Sequence, residues 1–438
     1  MGLALIGSPV AVGDRPIFTC PRPRPVQNPS YVDVIPQTAG FPARKPAVNA
    51  AARARVEVLT QFGKAEPLWR EMVQRSAVCS RYQHYSWMSR WWDHIGSISQ
   101  AAPHIAVFRN EMGTPALLLP LVRKRLGPIH AGFFMGGKHT NFNLPVWRPD
   151  LLKEIGADEL LDGLRGARPR LDLLVLLNQP AAWRGVANPM LQLPHMASPS
   201  EAHGGVLQSD FEELLKQRMG SGSRTKLRQK ERQLASAVGP VSYLRARTPA
   251  EIDRVLEAFF TQKAARMREL GISNAFDGAG VKEFTAAAAR EIDSDTGEPI
   301  VELYAALAGD AIIATFGGIV AHGRFSGMFN SIAGAEFRDY SPGELLLANV
   351  VRMACERGCN RFDLGIGDAA YKQVYCKDVE PLYDSVISIS AAGQAIAPIW
   401  RAGLAMKSRI KKSEALLRGA RFMHQLISRK APNEISDN

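Results

Sequence analysis

The chain has 438 residues, 46% hydrophobic and 22% charged, which is too long for one ordinary core and suits two globular domains plus tails. Its net charge of +12 is uneven: Arg401 to Lys430 holds nine Lys and Arg against Glu414 alone, so the excess belongs to a tail and says little about the body. No apolar run reaches the roughly 18–20 residues that span a bilayer, Met1–Val12 lacks the basic start and cleavage site of a secretory signal, and five cysteines fit a reducing cytoplasm.

Residues 1–52, rich in Pro, Arg and small side chains ("CPRPRPVQNP"), show no sustained period and are expected to be a disordered tail. A first domain over 53–200 opens with two helices, "PLWREMVQRS" and "YSWMSRWWDHIG", the second carrying Trp87, Trp91 and Trp92 as a core face. "HIAVFRN" and "ALLLPLVRK" around "EMGTP" predict a β-hairpin, and "LDLLVLLN" a buried strand. The stretch "LPHMASPSEAHGG" reads as a loop that separates the first domain from a second over 205–395. That domain predicts one or two helices over 209–238, capped by Ser209 or Asp210 and stopped at Gly239. A strand, "VSYLRAR", and two further helices follow, the first capped at Thr248-Pro249. Three strands on short Gly turns come next, "PIVELYAAL", "AIIATFGGIV" and "GRFSGMFNSI". A helix over 342–357, the strand "RFDLG", a short helix at "DAAYKQVY" and the strand "YDSVISIS" complete it, before a basic helical tail over 396–438.

"YSPGELLL" carries the first chemical signal. Ser341, Pro342 and Glu344 form a capping box, which explains them without a ligand. Gly343 is not explained: inside a first turn it costs about 1 kcal/mol against Ala, yet it lets a phosphate approach bare N–H groups. Cys355 and Cys359, four apart on the same helix, have no His or acidic partners and are expected as buried thiols.

The order of elements, with the words "RDYSPGELLL", "ERGCNRFDLGIGDAAYK" and "SRTKLRQKERQL", resembles the GNAT acyltransferase superfamily and within it the CelD-like branch, associated with cellulose and exopolysaccharide synthesis. The resemblance covers about residues 55–395 and implies a mixed α/β (α+β) fold of two tandem GNAT-like domains, the first degenerate. It implies acetyl-CoA or another acyl-CoA as co-substrate, no metal, and an amine acceptor such as an amino sugar. The pyrophosphate would lie at Arg338, Tyr340, Ser341 and Gly343. The full acyl-CoA signature is absent: Arg338 lies five residues before Gly343, and Pro342 removes one N–H donor.

Transfer requires the amine to lose a proton and the thiolate to gain one. Where the strands should part, Glu302 is a base or else a solvent-facing carboxylate; Asp368 caps the "DAAYK" helix; Tyr371 could protonate the sulfur; Lys372 could contact phosphate. "GFFMGGKH" lacks the Ser or Thr of a phosphate loop, and "GIGDAA" lacks a following βαβ unit, so both are set aside. The basic helix "SRTKLRQKERQL" is a solvated face or a seat for an acidic partner such as tRNA. Leu404, Ile410, Leu416, Leu417 and Met423 among the cations of 401–430 suggest peripheral contact with a membrane or a synthase complex. The expected protein is a cytoplasmic acyl-CoA N-acyltransferase, at most peripheral at the inner membrane face. The alternatives are a Fem-like aminoacyl-tRNA-dependent transferase and a non-catalytic accessory of a polysaccharide synthase.

Overall fold

The computed structural model describes residues 55–75, 77–152, 155–294, 296–367 and 372–412; the tail expected over 1–52, Asp368, Tyr371 and 413–438 lie outside them. The first half runs β1 (Arg55–Leu59), α1 (Glu66–Gln74), α2 (Tyr85–Trp91), β2 (Ala101–Arg109), β3 (Pro115–Leu126), β4 (Ile129–Phe134), β5 (Val146–Trp147), α3 (Ala157–Gly166), β6 (Leu173–Pro180), β7 (Ala182–Trp183), β8 (Val186–Ala187) and β9 (Met196–Val206). The second runs α4 (Phe211–Arg218), α5 (Ser221–Val238), β10 (Val241–Arg245), α6 (Pro249–Leu270), α7 (Val281–Arg290), β11 (Glu302–Ala308), β12 (Ala311–Ala321), β13 (Arg324–Ile332), α8 (Pro342–Glu356), β14 (Arg361–Ile366), α9 (Lys372–Tyr375) and β15 (Asp378–Ser388). α10 (Ala391–Lys412) follows.

Local chemistry sets most of these limits. Asp210 caps α4 by accepting from the N–H groups of Glu212 and Glu213, and Gly239 ends α5. Thr248 and Glu251 form a true capping box at α6.

Among the described residues thirteen strands lie in one sheet, twelve in the order β1-β2-β3-β4-β6-β15-β9-β14-β13-β12-β11-β10 and β5 paired to β3 at the side. Each half repeats one layout: an antiparallel run, then a parallel pair joined through a helix. The pairs are β4 with β6 through α3, and β13 with β14 through α8. The halves then exchange their last strands. β9 of the first pairs with β14, β15 of the second pairs with β6, and β9 and β15 pair with each other.

The reading of "LPHMASPSEAHGG" as an interdomain loop is therefore corrected, because its second part is β9, a central strand that joins the halves. Ala202, His203, Gly204 and Gly205 are its buried portion. A Cβ on Gly205 would stand 2.4 Å from the Tyr375 carbonyl oxygen, so close chain approach requires the small residues. Strand formation here rests on backbone pairing rather than apolar alternation.

α6 and α7 cover one face of β10–β13, and their apolar side chains join the first half's core, where Trp87 meets Phe284 edge-on at 5.0 Å. Trp87 and Trp91 are buried, as the aromatic face predicts. α4, α5 and α8 cover the other face. Cys355 and Cys359 are buried there as free thiols, and burial raises both their pKa values.

His104 on β2 is fully buried, and among the described residues neither ring nitrogen has a hydrogen-bond partner. Burial, followed by the charge of Arg123, lowers its pKa to about 4. The unfolded chain takes up a proton below about pH 6.5 that the folded chain refuses, so this stability is present above 6.5 and lost as pH falls toward 4. At pH 5 the loss is about 2 kcal/mol. His104→Leu should therefore raise stability and narrow the gap between melts at pH 7.5 and pH 5. An unchanged gap would remove His104 from the acid response.

Candidate functional site

β13 and β14 pair over three residues only, Arg324–Ser326 with Arg361–Asp363. Beyond them each strand runs on, to Ile332 and Ile366, without the other, and a wedge opens between them. The apex is fixed by charge: buried Asp363 accepts from Arg324 at 2.7 Å, from Ser326, and from the N–H of Gly365 at 3.0 Å. Burial pushes the Asp363 carboxyl upward, and Arg324 opposes that. Arg361 turns instead to Glu380.

The first half reaches into this wedge. Asn141 donates to the Gly327 carbonyl at 3.0 Å and to the Tyr82 hydroxyl at 2.8 Å. Gly365 has φ +64°, and a Cβ there would lie 2.2 Å from Asn141 Nδ2. Glycine is required on both counts. Lys372, buried on the β14 side, donates to the Ile366 carbonyl at 3.0 Å and so stands across the wedge from the α8 start.

After β13 the chain makes a 3-10 turn, Ala335–Tyr340, and enters α8 through Ser341. The expected capping box does not form. Ser341 has φ +52° and ψ 53°, not the extended backbone of an N-cap, and its side chain makes no cap bond. The Glu344 carboxylate instead pairs with Lys230 of α5 at 2.6 Å. The N–H groups of Glu344 and Leu345 fall back on the Ser341 carbonyl at 2.9 and 3.3 Å. Among the described residues the Gly343 N–H has no partner, so the positive end of α8 is bare. Gly343 also has a packing reason: a Cβ would stand 2.9 Å from Ile332 Cγ2.

The first half offers a contrast. At the matching start of α3, Glu159 closes the end by accepting from the Gly156 N–H at 3.1 Å. Both first turns carry an acid, but Glu344 of α8 is drawn off to Lys230, which leaves the Gly343 N–H open.

Arg338 and Tyr340 stand beside the open end. Arg338 bonds Glu269 near the end of α6. Asp339 and Tyr340 face Gln229, Arg232, Gln233 and Ser236 of α5 across an open groove of about 800 Å³. The basic helix thus borders the α8 start, which its composition alone did not reveal.

Glu302 lies elsewhere. Its carboxylate is buried and takes two bonds from Arg357 at 2.6 and 2.9 Å, an ion pair with Arg245 at 3.1 Å, and the Tyr304 hydroxyl. Arg357 caps the C-terminal end of α8, and that helix of 15 residues is about 22 Å long. Glu302 is a brace at the far end, neither solvent-facing nor open to an incoming amine.

Lys263 was missed. Ile252, Val255, Leu256 and Phe259 form the buried stripe of α6, and the next positions on that face are Gln262 and Lys263. A stripe that turns polar while still facing the sheet was the available signal. Lys263 Nζ donates at 3.2 Å to the carbonyl of Asn330, on the part of β13 that β14 has left, and burial lowers its pKa. Gln262 joins Ser331 at 2.7 Å, and Ser331 joins Thr315 at 2.6 Å, so the segment around it is held by hydrogen bonds.

A mixed sheet, a parted parallel pair and an open helix start between its strands make up the site. Residues 221–373 match the family described as an acetyltransferase (GNAT) domain, a match that runs from α5 into α9. No curated protein matches the chain. Among solved structures it is similar to the C-terminal domain of a putative lysylphosphatidylglycerol synthetase from Agrobacterium fabrum, at 12% identity over 77% of this chain and 95% of that one, TM-score 0.47. It is also similar to FemX, at 11% identity over 74% and 98%, TM-score 0.45. A tandem GNAT protein from the clavulanic acid pathway matches at 12% identity over 77% and 98%, TM-score 0.40. Among the described residues no group of three or more His, Cys, Asp or Glu could hold a metal ion, and no helix is long and apolar enough to cross a membrane.

Proposed function

We propose that the chain transfers an acyl group, most simply acetyl, from acyl-CoA to an amine. The CelD-like words in the sequence favour an amino sugar of cellulose or exopolysaccharide synthesis as acceptor. One observation carries the reading: the bare α8 start at the mouth of the β13–β14 wedge. A pyrophosphate would take the Gly343 N–H and the helix field, with Ser341, Tyr340, Arg338 and Lys230 around it. The unpaired edge of β13 offers backbone groups to the amides of the pantetheine arm, and Asn141 closes the wedge at its apex.

Lys263, at that edge, is suited to receive the negative charge that develops on the thioester oxygen when the amine attacks. Asp368 and Tyr371, which the sequence places between Gly367 and Lys372, are the proposed base and acid for the amine proton and the leaving thiolate. Lys372 is proposed to help hold the donor from the β14 side.

Calorimetry of the full chain with acetyl-CoA tests the donor, and acetyl transfer to glucosamine tests the acceptor class. Lys263→Met should leave acetyl-CoA affinity within a few-fold and lower turnover by about a hundredfold. Unchanged turnover would end the role of Lys263, and absent binding would end the donor assignment. The cations of α5, Arg232 among them, favour a second reading, a donor carried on tRNA. Saturable tRNA binding without acetyl-CoA binding would select it.

A further inference from the structure

α10 packs one face on the sheet: Gly393 touches the Asp172 carbonyl, and Ala397, Trp400 and Leu404 meet β4, β6 and β15. Leu404, which the sequence puts on the apolar face of the basic tail, thus points inward. A second apolar stripe faces out. Ile399 is 67% and Met406 61% exposed, with the exposed Ala395 one turn before them and Ala402 between them at helical spacing.

On the helix itself the stripe has cations and no acids beside it, while buried Asp384 of β15 faces Lys407 from the sheet. Lys407 and Arg409 are exposed on either side of it, and no acidic residue occurs from Ala391 to Ser413. The sequence beyond α10 adds Arg418, Arg421, Arg429 and Lys430 against Glu414, Glu434 and Asp437. Two large apolar side chains are too little for a stable protein interface, which needs about 800 Å² per partner with mixed polar pairing. Shallow aliphatic and thioether groups flanked only by Lys and Arg fit a surface that is apolar below and anionic above. We propose that the outward face of α10, centred on Ile399 and Met406, seats the protein on an anionic lipid bilayer. Ile399 and Met406 enter the acyl boundary, while Lys407 and Arg409 reach the phosphate layer on their long stems.

Flotation of the full chain with vesicles tests this, using phosphatidylcholine alone and phosphatidylcholine with one quarter phosphatidylglycerol. The expected result is flotation with the anionic vesicles only, weakened at least tenfold by the double variant Ile399→Asp, Met406→Asp and also by 0.5 M salt. Both side chains are exposed, so the variant should keep the parent's melting temperature. No flotation, or equal flotation with neutral vesicles, would overturn the proposal. Full retention by the double variant would place binding in the sequence after Lys412 and overturn the assigned face. A full-chain dimer that the double variant dissolves, without flotation, would make the stripe a protein contact and overturn the lipid assignment.

Discussion

Gly343→Asp is expected to abolish acyl-CoA binding, a loss of at least a hundredfold, while the fold survives. The substitution does two things at once, and they can be separated. Any side chain at 343 brings a Cβ to 2.9 Å from Ile332 Cγ2, so Gly343→Ala measures the packing cost alone. Aspartate adds a negative charge at the first turn of α8, where the helix field favours it. Measured against Ala, Asp should stabilise the unliganded protein by about 0.5 kcal/mol. The same charge stands where the donor's phosphates would lie and repels them at close range. Stability and affinity should thus move in opposite directions between Ala and Asp. Calorimetry with acetyl-CoA, beside thermal melts of both variants, reads the two effects. If Asp binds acetyl-CoA as well as Ala does, no anion sits at α8 and the site assignment falls.

The second half was legible because its signals are local. Thr248-Pro249 announced α6, short Gly turns announced the β11–β13 hairpins, and Ser341-Pro342 announced the start of α8. The exchange of β9 and β15 was not legible, since β9 is chosen for smallness against Tyr375 and carries no apolar alternation. The site was legible as a place and less so as contacts. The capping box was sound on spacing, but Ser341 takes left-handed backbone, and Lys230, more than a hundred residues upstream, claims Glu344. Gly343, unexplained by its own helix, is explained in part by Ile332 on the preceding strand. Asn141 was invisible because what makes it interesting is its nearness to the unpaired edge of β13, which no local pattern encodes, whereas Lys263 left only the polar turn of the α6 stripe as a sign.

Glu302→Gln should cost on the order of 3 kcal/mol of stability and leave acyl-CoA affinity unchanged. The variant keeps shape and removes charge. Arg357 and Arg245 both point at this carboxylate, and Arg245 is only 12% exposed, so neutralising Glu302 leaves two cations facing each other with reduced access to water. Glu298 takes a share of both guanidiniums and is itself half-exposed, which keeps the cost toward the lower end for a broken buried pair. Tyr304, whose hydroxyl donates to Glu302, also loses a charged acceptor and keeps only a neutral one. A catalytic base would behave in the opposite way: the melt would be near normal and the turnover would fall by two or more orders of magnitude. Thermal melts and single-concentration turnover on one preparation therefore discriminate the two roles. A normal melt with lost turnover would return Glu302 to the chemistry; a lowered melt with intact acetyl-CoA binding fixes it as the brace that ties the far end of α8 to β10 and β11.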